Sequence, residues 1–98
     1  MKNTFAIIFA PGNSWNNSKT VREQAYWTEH AAFMDELFAN GTVIMGGPFI
    51  DGTGSLVLVE TEMEENEVRS LFANDPFIQH QIFVLSSLKQ WQLFLDAR

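Results

Sequence analysis

Two histidines, His30 and His80, are the side chains of this sequence best suited to taking and returning a proton near neutral pH. His30 is flanked by Tyr26, Trp27, Phe33 and Met34. Aromatic walls that exclude water suit a general base or acid in a pocket. By residue type alone such surroundings more often hold a structural histidine bonded to a carbonyl, and the residues alone leave both readings open. Asp75 is the natural partner. Pro76 holds it in an extended conformation, from which a carboxylate could fix one imidazole tautomer and stabilise the imidazolium. Asp-Pro is also an ordinary turn at a helix end. Gly46-Gly47-Pro48 is a third element. Paired glycines allow close approach of a ligand, a left-handed backbone, or bare amides facing an anion, and they also mark bulges at strand ends. His80, five residues past Asp75, is expected on an exposed, solvated turn.

Other chemistry finds little support. The chain has no cysteine, hence no disulfide framework, thiolate metal site or thiol nucleophile. His30, Asp75 and His80 lack the spacing of a metal site, so no metal or cofactor is expected. The acids from Glu60 to Glu67 lack the pattern of a calcium loop. Ser86 and Ser87 have no nucleophile elbow. Twelve acidic against six basic residues give a net charge of −6, which disfavours nucleic acid as a partner. The apolar runs are far shorter than a membrane span. Phe5 to Ala10, followed by Pro11-Gly12, is a poor signal peptide. A cytoplasmic protein is expected.

The elements that must position these residues can be read from periodicity. At 98 residues the chain is expected to form a single domain, spanning 1–98. Phe5 to Ala10 alternates as a strand with Phe5, Ile7 and Phe9 on one face. Thr20 and Glu23 form a capping-box pattern, which predicts a helix from Val21 to about Ala39 with Tyr26, His30, Phe33 and Leu37 on its apolar face. Asn40-Gly41 stops it. Thr42 to Met45 is a second strand, Asp51-Gly52 a hairpin signal, and Ser55 to Glu60 a third strand. Thr61 to Glu64 reads as another capping box, opening a helix that buries Val68, Leu71 and Phe72 and ends before Pro76. A helical turn over Phe77 to Gln81, a strand from Ile82 to Lys89 and a short apolar tail, Trp91 to Leu95, complete the chain. Trp15 is large for the turn-rich loop that holds it, and is expected to cover something or pin that loop.

The order β-α-β-β-α-β predicts an α+β, ferredoxin-like fold: a four-stranded antiparallel sheet with the first and third strands central and both helices on one face. Yet several strands are apolar on both faces. An open apolar face is costly at about 25 cal/mol per Å², and the same face of a second copy is the simplest cover. A homodimer through the open sheet face is therefore expected. Five tail residues are few for the task.

In order and spacing the chain resembles the YCII-related (YciI-like) family of dimeric α/β-barrel proteins. The resemblance runs from Phe5 to about Trp91. It rests on His30 in the first helix, then Gly41, then Gly47-Pro48 after the second strand, then Asp75-Pro76-Phe77 after the second helix. It implies a dimeric barrel and a pocket in which His30 and Asp75 form the catalytic pair, with Tyr26, Trp27, Gly46, Gly47, Pro48 and Phe77 as substrate-binding residues. One branch looks like dehydrochlorinases of chlorinated hydroxyquinols, and the fold is similar to that of muconolactone isomerase. Members often carry an Arg three residues before the helix His. Here Trp27 stands there, and Arg22 is eight residues away, about two helical turns. The implied activity is a cofactor-free lyase or isomerase using His–Asp acid/base chemistry on a small cyclic or aromatic substrate. The alternative is a non-catalytic small-molecule-binding or interaction module of the same fold. A cofactor-free oxygenase, known on other dimeric α/β barrels, has no residue here that argues for it.

Overall fold

The computed structural model describes residues 2–98. Strand β1 (Asn3–Pro11) is followed by a 3-10 turn (Val21–Glu23), helix α1 (Trp27–Ala39), strands β2 (Val43–Pro48) and β3 (Ser55–Thr61), helices α2 (Glu65–Phe72) and α3 (Pro76–Gln79), and strand β4 (Phe83–Gln90). The four strands form one antiparallel sheet in the order β2-β3-β1-β4. The α+β architecture and the central placement of β1 and β3 are as expected. Among the described residues no helix is long and apolar enough to cross a membrane.

Alternation in β1 divides the sheet into two faces. Phe5, Ile7 and Phe9 are buried, and with Val57, Val59 and Phe83 they meet Leu37, Val68, Phe72 and Phe77 from the helices. Phe5, Ile7, Val59, Val68, Phe72 and Phe77 are fully buried, each contributing roughly 1.5–3 kcal/mol of transfer free energy. On the opposite face Ile8, Leu56, Met45 and Val84 stay exposed. The tail reaches part of that face: Trp91 N–H bonds the Thr4 carbonyl at 2.7 Å, and Trp91, Leu93 and Leu95 line a hollow with Ile44, Met45 and Leu58. It does not reach far enough to bury the rest.

The first helix differs from the sequence expectation. Thr20 and Glu23 do interact, the Glu23 Oε1 accepting from the Thr20 N–H (2.9 Å) and Oγ1–H (3.0 Å). They cap only the 3-10 turn. Gln24 is extended at φ −66°, ψ 151°, Tyr26 is left-handed at φ 67°, and α1 begins at Trp27. The cause is Gln24, a buried polar side chain. Its Oε1 accepts from Asn16 N–H at 2.9 Å, and its Nε2 donates to the carbonyls of Asn16 (2.8 Å) and Lys19 (3.2 Å). Satisfying that amide fixes the loop and ends the turn. The α1 stop is as read: Gly41, at φ 86°, donates to Phe38 O and Thr42 donates to Leu37 O, a Schellman closure. At the second helix the capping residue is Glu64 rather than Thr61. Glu64 N–H donates to Glu67 Oε1 at 3.1 Å, and the Thr61 hydroxyl accepts from Met63 N–H instead.

Candidate active site

His30 lies in the first turn of α1, its N–H donating to the Tyr26 carbonyl at 2.9 Å. Asp75 caps α3. Pro76 at the first helical position keeps Asp75 extended (φ −64°, ψ 126°), so its carboxylate turns back and accepts from Phe77 N–H at 2.9 Å. The two meet across 45 residues. His30 Nδ1 is 2.8 Å from Asp75 Oδ1 and 3.0 Å from Oδ2, with Asp75 only 1% exposed. A carboxylate accepts only, so Nδ1 carries the proton and the lone pair of the neutral ring lies on Nε2. Among the described residues Nε2 has no hydrogen-bond partner, and it is not a buried unsatisfied atom; it is the ring nitrogen left open, on a residue that lines a cavity.

The ring is fixed by neighbours as well as by Asp75. Phe77 stacks on it with centroids 4.0 Å apart and planes 5° apart. Trp27 leans on it at 5.5 Å, and Phe83 meets it edge-on at 6.1 Å. Trp15 stacks on Phe83 at 5.7 Å and 12°, so the loop tryptophan pins its loop to the core.

A cavity of about 470 Å³ opens in front of His30, between α1, the 3-10 turn and strands β2 and β3. Trp27, Gly46, Gly47 and Pro48 line it, whereas Tyr26 and Phe77 do not. Tyr26 faces outward and stacks on His80 at 3.7 Å and 1°; His80 is exposed but covered on one side by that ring. Phe77 lies beneath His30. Neither Gly46 nor Gly47 has a left-handed backbone. A Cβ at Gly46 would lie 3.3 Å from Leu56 O, while one at Gly47 would meet open space. The Gly47 carbonyl accepts from Ser55 Oγ at 2.9 Å. Among the described residues no three His, Cys, Asp or Glu side chains come together as metal ligands.

Sequence reasoning missed three residues here. Ser55 is a buried hydroxyl on the cavity wall; as the first residue of a strand it carries no distinguishing pattern. Gln24 falls inside an apparently helical stretch, where a buried amide leaves no periodic trace. Arg22 lines the cavity although helical spacing would carry it away.

The Glu23 carboxyl is held below its ordinary value of 4.5, chiefly by the hydrogen bond from Thr20 N–H and next by that from its hydroxyl. The stabilisation of the 3-10 turn is therefore complete above about pH 4.5 and fades as pH falls through the lowered value. The Thr20 amide resonance should titrate with a midpoint below that of an unstructured glutamate, and Glu23→Gln should abolish that titration.

The sequence profile of the YCII-related domain matches residues 9–92. The chain belongs to this family. No curated protein matches this YCII-related chain. Among solved structures it is similar to 5-chloro-2-hydroxyhydroquinone dehydrochlorinase (TftG) from Burkholderia phenoliruptrix AC1100, in complex with 2,5-dihydroxybenzoquinone. The two are 28% identical, with a TM-score of 0.71, over 91% of this chain and 93% of the other.

Proposed function

We propose that this YCII-related protein is a lyase or isomerase that moves a proton on a small cyclic or aromatic substrate, with His30 as the base and acid and Asp75 as its orienting partner. The observation that carries the reading is the His30–Asp75 contact at 2.8 Å, which leaves Nε2 free on a residue that lines a cavity large enough for a single ring. Similarity to a dehydrochlorinase supports the same chemistry.

The step begins with a ring hydroxyl in hydrogen-bond reach of Nε2. Nε2 takes its proton, the O–H electrons form a carbonyl, and the ring double bond shifts. In an elimination from an aromatic chlorohydroquinone the imidazolium first returns the proton to the chlorine-bearing ring carbon, which becomes tetrahedral. Nε2 then takes a second hydroxyl proton, the shifting pair expels chloride from that carbon, and the proton leaves His30 for solvent as HCl is lost overall. In an isomerisation the imidazolium returns the proton to the far carbon. Asp75 stabilises the imidazolium between the two transfers. Trp27 and the apolar wall exclude bulk water.

Chloride release from 5-chloro-2-hydroxyhydroquinone is the direct test. Release above buffer, lost on replacing His30, supports the reading. Saturable binding of the compound with neither chloride nor an isomerised product defeats it, and leaves a binding module.

The same reading includes a homodimer through the face bearing Ile8, Leu56 and Val84, and a cytoplasmic setting, consistent with the lack of cysteine. Ile8→Lys, a charge in the middle of that face, should halve the mass found by equilibrium sedimentation. A wild-type chain that sediments as a monomer would remove the dimer from the proposal.

A further inference from the structure

We propose that Arg22 selects ligands bearing an ionised oxygen for the His30 cavity, and that the break before α1 is what delivers it there. This rests on the reading above in taking that cavity as the binding site.

In an unbroken helix from Val21, Arg22 would stand about 12 Å along the axis from His30 and point elsewhere. The chain instead forms the short turn, extends at Gln24 and takes a left-handed conformation at Tyr26, which a non-glycine residue adopts only when its surroundings impose it. Buried Gln24 holds this fold-back through the hydrogen bonds described above. As a result Arg22 and His30 line one cavity.

The cation there is uncommitted. Among the described residues no carboxylate lies within 4.0 Å of the Arg22 guanidinium, since the ion pairs lie elsewhere. It rests instead over the Trp27 ring, 5.9 Å from the centroid, a contact that orients a guanidinium without neutralising it. Asp35 is the other charged side chain on the lining besides His30; it is exposed and makes no ion pair among the described residues. The chain's net charge of −6 repels anions, so an anionic ligand needs a local cation, and a planar fork of N–H donors suits a delocalised oxyanion. Ser55 supplies the opposite polarity. With its proton given to Gly47 O, its oxygen can only accept. The matching ligand is a ring with one ionised oxygen and one hydroxyl still able to donate: a phenolate, an enolate or a hydroxyquinone anion.

The test is calorimetric titration of the full chain with 2,5-dihydroxybenzoquinone, a vinylogous diacid whose two hydroxyls are both ionised at neutral pH, so that it probes the Arg22 half of this match alone, and with neutral hydroquinone. Wild type should prefer the ionised ring. Arg22→Met should weaken its binding about 10- to 100-fold and leave hydroquinone unaffected. Arg22→Lys should fall between, and added salt should weaken ionised-ring binding only where a cation is present. Preference retained in Arg22→Met overturns the proposal, as does a wild type that binds both rings equally or binds neither. No turnover enters the measurement. A protein that binds the ionised ring through Arg22 yet releases no chloride would defeat the catalytic reading and leave this one standing.

Discussion

His30→Gln should lower turnover about 10²- to 10⁴-fold, the usual contribution of a positioned general base, while the fold survives. Glutamine is the informative substitution because its amide N–H can still donate to Asp75, which is buried. Alanine would strand that carboxylate without its partner and confuse lost chemistry with lost stability. Asp75→Asn should fail by a different route. The asparagine amide can donate to Nδ1, which moves the ring proton to Nε2 and leaves no lone pair on it. The loss should be of the same order, with the histidine still in place. Nitrogen-15 shifts of the His30 ring report the tautomer directly. If Asp75→Asn inverts the tautomer and turnover persists, Nε2 is not the base.

Phe77→Ala should destabilise the protein by about 3–5 kcal/mol, a large share of the roughly 5–15 kcal/mol that holds a domain together. Phe77 is fully buried. Its ring stacks on His30, meets Phe83 edge-on at 5.2 Å and leans on Trp27 at 6.2 Å. Removing it opens a hole between α1, α3 and β4 where little can collapse. Phe77→Leu refills most of the volume and should cost much less, but it removes the flat surface under the imidazole. A urea midpoint reads the first effect. Turnover of the leucine variant reads the second, and a leucine protein with wild-type turnover would show that the stack contributes to the core alone.

The fold was legible because β1 and β3 read as apolar runs of strand length, because Asn40-Gly41 closes α1 and because Asp75-Pro76 separates α2 from α3. His30 and Asp75 could be paired as candidates from residue type, and that they touch is a matter of the fold. The start of α1 was not legible. Thr20 and Glu23 carry a sound local signal, and the structure obeys it for one turn before Gln24 overrides it through bonds to Asn16 and Lys19. A periodic reading sees apolar faces, whereas a buried amide acts through partners that the loop supplies. The same blindness hid Arg22. Tyr26 and Phe77 flank the histidine in sequence or in motif, yet one turns outward to His80 and the other supports the ring from below.

The division of β3 has a consequence for how this chain can change. Val57 and Val59 point to the helices while Leu56 and Leu58 point to the other face, so neighbouring letters of one strand serve different surfaces. A single inserted residue would exchange them, turning the leucines toward the helices and the valines outward. Bulges already take up an irregular residue between β1 and β4 at Ile8/Phe9, and between β2 and β3 at Val43/Met45. The β1–β3 pairing runs from Asn3↔Thr61 to Phe9↔Ser55 without a shift. Length variation should therefore collect at the sheet edges and in the loops, and the central pair should drift in residue type but never in count.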